Sequence, residues 1–566
     1  MAQYTKHVNR VNPKTSQSEK ANEGQEQNNA GGFSFVISDW DRLDRFLIMG
    51  SDKGSYYVNE SKLVRDNAKC VDRCLKEDGA RAVEAIVTVS TDGRAAKNDY
   101  AIFALALAAA YNSGDGEPSA SDIATRKLAL DSLSKVCRIG THLFQFSQYV
   151  SALRGWGPGL RNAVAAWYTD MPLGKLSYQV IKYPQRTTEE GQKNSSWSHR
   201  DVLRKSHPKT DDKNREKLFK YVVNKGFGDK LPTRINKDLN ILVGTEKAKR
   251  ATSASEVVEL ISKYNLPHEV IPKELQGDNT VWKALLPGMP MNATIRNLGR
   301  MTANGLLSPL SDETGIVVDR LGDSEYIKKS RIHPINVLAA MKTYSSGQGF
   351  RGSLTWNPNQ SIVDALDGAF YESFKNVDPT GKRYMLAIDC SGSMMSPCMG
   401  MSQISNMEAA AVMAMATMKA EKNTHITGFS CGSGGGYRRF GGSGIKPLEI
   451  SPRMRLDSVV RTMSGFNWGG TDCALPMIHA LEQKLNVDVF CVYTDNETYA
   501  GSIHPHQALR DYRKKINPEA KLVVLGTAQT EFSIADPNDA GMLDIAGFDS
   551  AAPALISQFA RGFGRK

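Results

Sequence analysis

Short apolar runs alternate with helical segments in the C-terminal part of the chain, and this alternation is the strongest constraint on the fold. The runs are Tyr384–Ile388, Thr424–Phe429, Val487–Tyr493 and Lys521–Leu525. Nearly continuous apolar strands separated by helices indicate a parallel sheet that is covered on both faces. Loops that hold ligands gather at the carboxyl ends of such strands. We therefore expect an α/β, Rossmann-like domain over residues 376–566.

Three polar turns lie where that edge of the sheet is expected. The first has the pattern D-x-S-x-S and directly follows the first apolar run. Mg²⁺ prefers hard oxygen ligands in an octahedron and keeps several waters. The candidate ligands for Mg²⁺ or another divalent cation are Asp389, Ser391, Ser393, Thr471 and Asp495. The alternative is three ordinary polar turns at strand ends, with Ser393 capping the segment that follows it.

The order D-x-S-x-S, then Thr, then Asp resembles the metal-ion-dependent adhesion site of von Willebrand factor A domains. Such a ligand set leaves one coordination position open for an acidic group of a partner or for a phosphate. Asp472 and Glu497 lie nearby, where acids balance the charge of a cation. No nucleophile with an activating base accompanies them, so we expect no enzymatic activity.

Composition limits the class of protein and of partner. The 566 residues suffice for two or more domains, and the net charge of +11 suggests nucleic acid or another polyanion as partner. No apolar run is long enough to span a bilayer, and no secretory signal is evident, so we expect a cytoplasmic protein without membrane association. Eight cysteines without a C-x-x-C pair suit a reducing compartment. Cys70 and Cys74 are spaced for a zinc pair, but buried thiols are favoured.

The part of the chain before residue 376 divides at about Phe33. Residues 1–32 are polar, and we predict a disordered N-terminal tail because they bury little apolar surface. Residues 33–375 are predominantly helical, and Asn98–Tyr111 is hydrophobic nearly all round, as in a buried helix. The succession of helices with short Gly/Pro turns predicts stacked pairs of the HEAT kind, although no clean period is present.

Cations, histidines and aromatic residues interleave between Lys182 and Lys209, and a second cationic group precedes them. Lys and Arg bind phosphates, and aromatic rings stack on unpaired bases. The candidate RNA-binding residues are Lys182, Gln185, Arg186, His199, Arg200, Arg204, His207, Arg154 and Arg161. The alternative is a solvated basic face with Trp197 packed inward.

Several of these segments together resemble the Ro (TROVE-domain) ribonucleoprotein family. They are G-W-G-x-x-L-R from Gly155, A-W-Y from Ala166, K-Y-x-Q-R from Lys182, W-S-H-R-D-V-L-R-x-S-H from Trp197 and Y-T-D-N-E-T from Tyr493. The resemblance covers nearly the whole chain after about Phe33. It implies a ring of helical repeats closed by a von Willebrand factor A domain.

The resemblance also implies a function. Small noncoding Y RNAs would bind the outer surface, and single-stranded 3′ ends of misfolded RNAs would enter a central hole, in RNA quality control, maturation or decay. It assigns RNA contacts to Lys182, Arg186 and His207. It implies an exoribonuclease as partner, and we expect a monomer. The connection Thr187–Ser196 is longer than in the family and brings Glu189 and Glu190 close to the proposed phosphate surface. We expect it to weaken or redirect binding of Y-type RNA more than binding in the central hole.

Two other functions compete with RNA binding. A metal-dependent protein-adhesion module would use the helical region as a docking platform and would carry no RNA. A Mg²⁺-dependent nuclease is disfavoured, because the hydroxyl-rich ligand set lacks the clustered carboxylates of two-metal chemistry.

Overall fold

The computed structural model describes residues 14–50, 60–114, 116–183, 197–228, 230–349, 353–374, 379–398, 401–431, 444–463 and 469–562. Packing divides the chain into two units. The helical unit comprises residues 68–373, and the sheet unit comprises the described residues on either side of it.

The N-terminal part of the sheet unit, residues 14–49, is folded onto that unit. It contains strands β1 (Gln25–Gln27) and β2 (Phe33–Val36) and helix α1 (Asp39–Met49). β2 pairs antiparallel with β1 and with residues 532–533. The predicted disorder is therefore wrong for residues 14–32, and the described residues 33–50 and 60–67 belong with the sheet unit rather than with the helical unit. Residues 1–13 lie outside the described part.

The helical unit consists of successive helices, several of which are joined by short turns. The helices are α2 (Glu60–Asp92), which begins before the unit boundary, α3 (Asp99–Ala110), α4 (Ala120–Asp131), α5 (Leu133–Val136), α6 (Gly140–Arg154), α7 (Pro158–Asp170), α8 (Leu173–Lys182), α9 (His199–Ser206), α10 (Lys213–Asn224), α11 (Asn240–Ala248), α12 (Ala254–Tyr264), α13 (Asn279–Leu285), α14 (Met291–Ala303), α15 (Asp312–Gly322), α16 (Ser324–Ser330), α17 (Pro334–Ser345) and α18 (Gln360–Glu372). Single 3₁₀ turns lie at Lys237–Leu239, His268–Val270, Lys273–Leu275 and Leu286–Gly288.

The helices of this unit pack against their neighbours along the chain and close on themselves. α3, predicted to be buried, packs between α4 and α6, and most of its side chains are buried. At the other end, α17 and α18 pack together. His333 and Asn336 at the start of α17 hydrogen bond to the Arg94 and Ala96 carbonyl oxygens over 3.1 and 3.0 Å. The end of the succession therefore contacts its beginning, which no sequence period predicted.

The rest of the sheet unit alternates strands and helices. Its elements are β3 (Arg383–Asp389), a 3₁₀ turn (Gly392–Met395), β4 (Pro397–Cys398), β5 (Met401–Ser405), α19 (Asn406–Ala420), β6 (Asn423–Phe429), β7 (Ile445–Pro447), α20 (Leu456–Met463), α21 (Leu475–Glu482), β8 (Val489–Thr494), α22 (Pro505–Lys515), β9 (Lys521–Gly526), β10 (Phe532–Ser533), β11 (Met542–Ala546) and α23 (Ala552–Ala560). The four strands predicted from apolar runs are β3, β6, β8 and β9, and all four are confirmed.

The main sheet has the order β11-β9-β8-β3-β6-β7 and is parallel except for the edge strand β7, which is antiparallel to β6. Met385 and Ala387 on β3 share a core with residues of α21 and α22. The alternate residues Leu386 and Ile388 are also buried and point to the opposite face, where α19 contacts β3. Both faces of the sheet are thus covered, and the predicted combination of a helical unit with an α/β unit is confirmed. No helix of the described residues combines the length and apolarity needed to cross a bilayer.

Candidate metal centre and nucleic-acid surface

The carboxyl ends of β3 and β8 place two aspartates at one edge of the sheet. Asp389 ends β3, and Asp495 follows β8 directly. Asp389 accepts two hydrogen bonds, from the Ser391 amide at Oδ1 (2.9 Å) and from the Thr494 hydroxyl at Oδ2 (2.7 Å). Both carboxylates are buried, and Asp495 accepts a hydrogen bond from Ser393. The parallel register therefore brings together the first and last pieces of the predicted ligand set.

The D-x-S-x-S turn and the loop that contains Thr471 meet at the same edge. The side-chain oxygens of Ser391 and Ser393 lie 3.1 Å apart. The Gly392 amide donates to the Gly469 carbonyl oxygen over 3.0 Å, which joins the two loops. Thr471 is fully buried, and its hydroxyl has no hydrogen-bond partner among the residues that the structure describes. A buried hydroxyl without a partner is costly unless something else binds it.

Electrostatics at this edge also favour a cation. Burial, and then the neighbouring Asp495 carboxylate, raise the pKa of Asp389 to about 7. Burial likewise raises the pKa of Asp495. Two buried carboxylates disfavour each other's ionised form, and a divalent cation between them would reverse that effect. The residues present fit a small, hard cation, because the donor set is oxygen only and one hydroxyl is unpaired. No cluster of three His, Cys, Asp or Glu suited to a metal occurs in the described part of the chain, so such a centre depends on hydroxyl ligands.

The two acids beside the predicted ligands bind the N-terminal segment. Asp472 Oδ1 accepts from Gln17 Nε2 over 2.7 Å. Glu497 accepts from Asn29 Nδ2 (2.7 Å) and from the Ala30 amide (3.2 Å). Burial raises the pKa of Asp472 to about 6 and that of Glu497 to about 7. The structure thus gives both acids neutral amide partners, which the sequence did not indicate.

Among the predicted RNA-binding residues, three arginines and one histidine lie on the surface of the helical unit: Arg154, Arg161, Arg204 and His207 are exposed. Arg154 ends α6, and Arg161 lies in the first turn of α7. His207 ends α9 in the left-handed conformation, with φ 46°. The α6–α7 connection reaches α9 through Trp156, whose Nε1 donates to the Lys205 carbonyl oxygen over 3.1 Å.

A tryptophan pair lies beside Lys205 on the same surface. Trp156 and Trp197 stack, with ring centroids 5.0 Å apart and planes inclined by 20°. The Lys205 ammonium lies 5.5 Å from the Trp156 centroid and 5.1 Å from that of Trp197. Both rings are half-buried. We call Arg154, Trp156, Trp197, Arg204, Lys205 and His207 the α6–α9 surface.

Lys182 and Arg200 are less accessible than predicted. The Lys182 ammonium lies 3.6 Å from Glu269 Oε1 and near the rings of Tyr178 and Tyr183. Arg200 is half-buried, and its Nε donates to the Val223 carbonyl oxygen over 2.9 Å. Gln185 and Arg186, as well as the connection that separates Arg186 from Trp197, lie outside the described residues.

His199 does not lie on the surface, and the prediction that it contacts RNA is wrong. It is 3 % exposed and packs edge-on against Phe144, with ring centroids 4.8 Å apart. Its Nδ1 lies 2.7 Å from the Tyr168 hydroxyl oxygen. Burial lowers its pKa to about 3, so the ring is neutral at physiological pH. The first histidine of the W-S-H segment therefore belongs to the core of the helical unit.

Comparison with known proteins agrees with this arrangement. The family model described as TROVE domain matches residues 26–346, and the model described as Ro60 vWA domain matches residues 383–560. The chain belongs to the TROVE-domain family of Ro proteins. The relative named RNA-binding protein RO60 from Deinococcus radiodurans is 38% identical over 548 residues, covering 96% of this chain and 97% of the relative. The Caenorhabditis elegans protein of the same name is 36% identical over 614 residues, with 96% and 91% covered.

A solved structure of this family is also similar. The crystal structure of the Deinococcus radiodurans RO (RSR) protein has a TM-score of 0.67 and 38% sequence identity. The match covers 93% of this chain and 100% of that one. The resemblance read from short segments is thus confirmed over both units of the chain.

Proposed function

We propose that this member of the Ro family is a non-enzymatic RNA-binding scaffold. The α6–α9 surface carries the proposal, because exposed cations bind phosphates while aromatic faces stack on bases. The names of the two curated relatives, both RNA-binding proteins, support it. The net charge of +11 provides a general attraction for polyanions.

The RNA ligands in this proposal are of two kinds. Small Y-type RNAs bind the outer surface, and single-stranded 3′ ends of misfolded RNAs enter a central opening of the helical unit. Closure of that unit through His333 and Asn336 supports such an opening. The protein acts as a monomer in noncoding-RNA quality control, with an exoribonuclease as partner. Its eight cysteines are buried and suit the reducing cytoplasm.

We further propose that Mg²⁺ or another divalent cation binds at the edge of the sheet. Ser391, Ser393 and Thr471 would hold it through hydroxyls, and Asp389 and Asp495 directly or through water. The unpaired Thr471 hydroxyl supports this site. When bound, the cation would offer a coordination position to a carboxylate or phosphate. This hydroxyl-rich centre also favours a second function, metal-dependent adhesion to a protein partner without RNA binding.

The salt dependence of RNA binding tests the main proposal. The ligand is a structured RNA with a free single-stranded 3′ end, and the variant is Arg204→Ala with Lys205→Ala. Each lost contact to a single strand should reduce the slope of log K against log salt by about 0.7, so the pair should reduce it by about 1.4 (2 × 0.7). Lys514→Ala with Lys515→Ala on α22 is the matched control, since it removes two exposed cations from the sheet unit.

Two results would count against RNA binding. One is an affinity for this RNA no better than that for heparin at physiological salt. The other is an equal slope of log K against log salt for the Arg204/Lys205 variant and the Lys514/Lys515 variant. The adhesion function predicts instead that purified protein carries no nucleic acid, as judged by its absorbance ratio at 260 and 280 nm, and that EDTA releases its protein partner.

A further inference from the structure

The N-terminal segment crosses the two loops that carry the last pieces of the candidate metal centre. Gln17 is fully buried, although it lies in a polar stretch of sequence. Its Nε2 donates to Asp472 Oδ1 over 2.7 Å and to the Ile503 carbonyl oxygen over 2.9 Å. Its Oε1 accepts from the hydroxyl of Thr498. One side chain therefore links the loop that follows Thr471 to the loop that follows Asp495.

The backbone of the same segment adds to this link. The Gln17 amide donates to the Gly501 carbonyl oxygen over 2.9 Å, and the Phe33 amide donates to the Gln17 carbonyl oxygen over 2.8 Å. A Cβ on Gly501 would overlap both Gln17 Nε2 and Asp472 Oδ1. The absence of a side chain at 501 is thus what lets the amide reach the carboxylate.

The two linked loops also contact each other next to Thr471. The Tyr499 and Ala500 amides donate to the Thr471 carbonyl oxygen over 3.2 and 3.0 Å. The Cys473 amide donates to the Thr498 hydroxyl over 3.1 Å. Gln17 bonds to Asp472, which is the neighbour of the candidate ligand Thr471. It also bonds to Thr498, which lies in the loop that begins at the candidate ligand Asp495. No residue of the N-terminal segment, Gln17 included, is a candidate ligand.

We propose that Gln17 is a positioning residue of the metal centre and that the N-terminal segment of residues 14–33 completes this site. The inference rests on the proposed divalent cation. Gln17 fixes the backbone that carries the Thr471 hydroxyl and the Asp495 carboxylate, so that cation binding needs less rearrangement. Residues that hydrogen bond directly to a metal ligand typically contribute roughly 10–100-fold to metal affinity. Gln17 bonds to the neighbour of a ligand, so the lower end of that range is expected.

The test compares two glutamines of the same segment in the full-length protein. Gln17→Met keeps the volume of the side chain and removes its hydrogen bonds. Gln27→Met is the matched control, because Gln27 is exposed and bonds only locally, to the Gly31 carbonyl oxygen. Mn²⁺ affinity is measured by calorimetry on protein that has been treated with EDTA. We expect Gln17→Met to weaken Mn²⁺ binding by roughly 10-fold and Gln27→Met to leave it within twofold.

A second measurement does not depend on the metal. In EDTA, amide hydrogen exchange of residues 470–474 and 496–503 should be faster in Gln17→Met than in Gln27→Met, while exchange in the helical unit stays unchanged. Asn29→Ala provides a milder variant, because Asn29 is exposed and donates only to Glu497. It should weaken Mn²⁺ binding in the same direction with the fold intact.

The outcomes separate this inference from the metal site itself. Equal Mn²⁺ affinity in Gln17→Met and Gln27→Met would overturn the positioning role while leaving the centre in place. A lower melting temperature in EDTA with unchanged Mn²⁺ affinity would likewise make Gln17 merely structural. Wild-type protein that binds no Mn²⁺ would refute the centre, and with it the role of Gln17.

Discussion

Thr494 donates its hydroxyl to Asp389 Oδ2 over 2.7 Å, from the end of β8 to the end of the adjacent strand β3. The other oxygen of that carboxylate accepts from the Ser391 amide. Asp389 is therefore oriented by the fold alone. Thr471 differs, because its buried hydroxyl has no partner within the described ranges. The Thr494 hydroxyl therefore helps to build the site, whereas the Thr471 hydroxyl is free to bind a cation.

Thr471→Val should abolish the stabilisation by metal without lowering the stability of the metal-free protein. Without metal, removing an unpaired buried hydroxyl should leave the sheet unit equally stable or raise its stability by about 1 kcal/mol. With Mn²⁺ present, the variant should lack the increase in melting temperature that the wild type shows, since a ligand is gone. Thermal unfolding in EDTA and in excess Mn²⁺ measures both effects.

Thr498→Val is the control for the metal-free half of that experiment. The Thr498 hydroxyl is paired, because it donates to Gln17 and accepts from the Cys473 amide. Its loss should destabilise the metal-free protein. If both valine variants lowered the melting temperature in EDTA equally, the Thr471 hydroxyl would be structural and not a spare ligand.

Trp156→Ala should weaken RNA binding without changing its dependence on salt. A stacked base contributes about 1–3 kcal/mol, and this contribution involves no release of counterions. Fluorescence anisotropy with a single-stranded 3′ end, measured at several salt concentrations, gives both the affinity and the slope. Trp156→Phe keeps a ring and should retain most of the affinity. Unchanged binding by Trp156→Ala would show that the tryptophan pair only packs α9 against the α6–α7 connection.

The sheet unit could be predicted from local patterns, but its N-terminal segment could not. Apolar runs revealed β3 and β8, and the polar residues after them marked the edge where ligands gather. The segment around Gln17 lacks an apolar pattern. Hydrogen bonds from its side-chain amides hold it in place instead, and their partners, such as Asp472, lie more than 450 positions away in the sequence. Composition predicted disorder there because it measures apolar burial and not long-range hydrogen bonds.

The sequence carries a signal for the burial of His199 in the spacing of the residues that follow it. Val202, Leu203 and Ser206 follow it at spacings of three, four and seven residues, which is one face of a helix. All four side chains are buried in α9. The interleaving of cations and histidines between Lys182 and Lys209 predicts a basic surface that includes His199, whereas the helical period assigns the exposed face to Arg204 and Lys205.

His199 should make the helical unit lose stability as the pH falls. Its pKa is about 3 in the folded protein and 6.5 ordinarily, so the unfolded chain binds more protons between these values. Its contribution to stability is present above pH 6.5 and falls towards pH 3. Between pH 7 and pH 5 the loss is about 2 kcal/mol. Hydrogen exchange of the α7 and α9 amides, corrected for intrinsic rates, measures it.

His199→Gln isolates that contribution. Burial also lowers the pKa of His142, to about 4, so the wild type alone would report more than one histidine. The glutamine variant should be less stable at pH 7, because it disrupts the contact with Tyr168, but it should lose about 2 kcal/mol less on going to pH 5. Equal pH dependence in both proteins would mean that His199 takes up no extra proton on unfolding.

Arg45 and Asp544 should prove to be the strongest link between α1 and the sheet. Arg45 is 1% exposed, and its Nη2 lies 2.7 Å from Asp544 Oδ1. Its Nη1 donates to the Thr530 and Phe532 carbonyl oxygens. Arg45→Met leaves the buried Asp544 carboxylate without its cation and with the Ser533 hydroxyl as a remaining partner, at a cost of about 3–5 kcal/mol, whereas adding Asp544→Leu should recover much of that loss. Hydrogen exchange of β9 and β11 gives the local free energy, because a two-unit chain need not unfold in one step. Arg461→Met should change little, because Arg461 is exposed and Asp457 keeps its closer partner Arg455. If the double variant were no more stable than Arg45→Met, the loss would come from the carbonyl oxygens and not from the carboxylate.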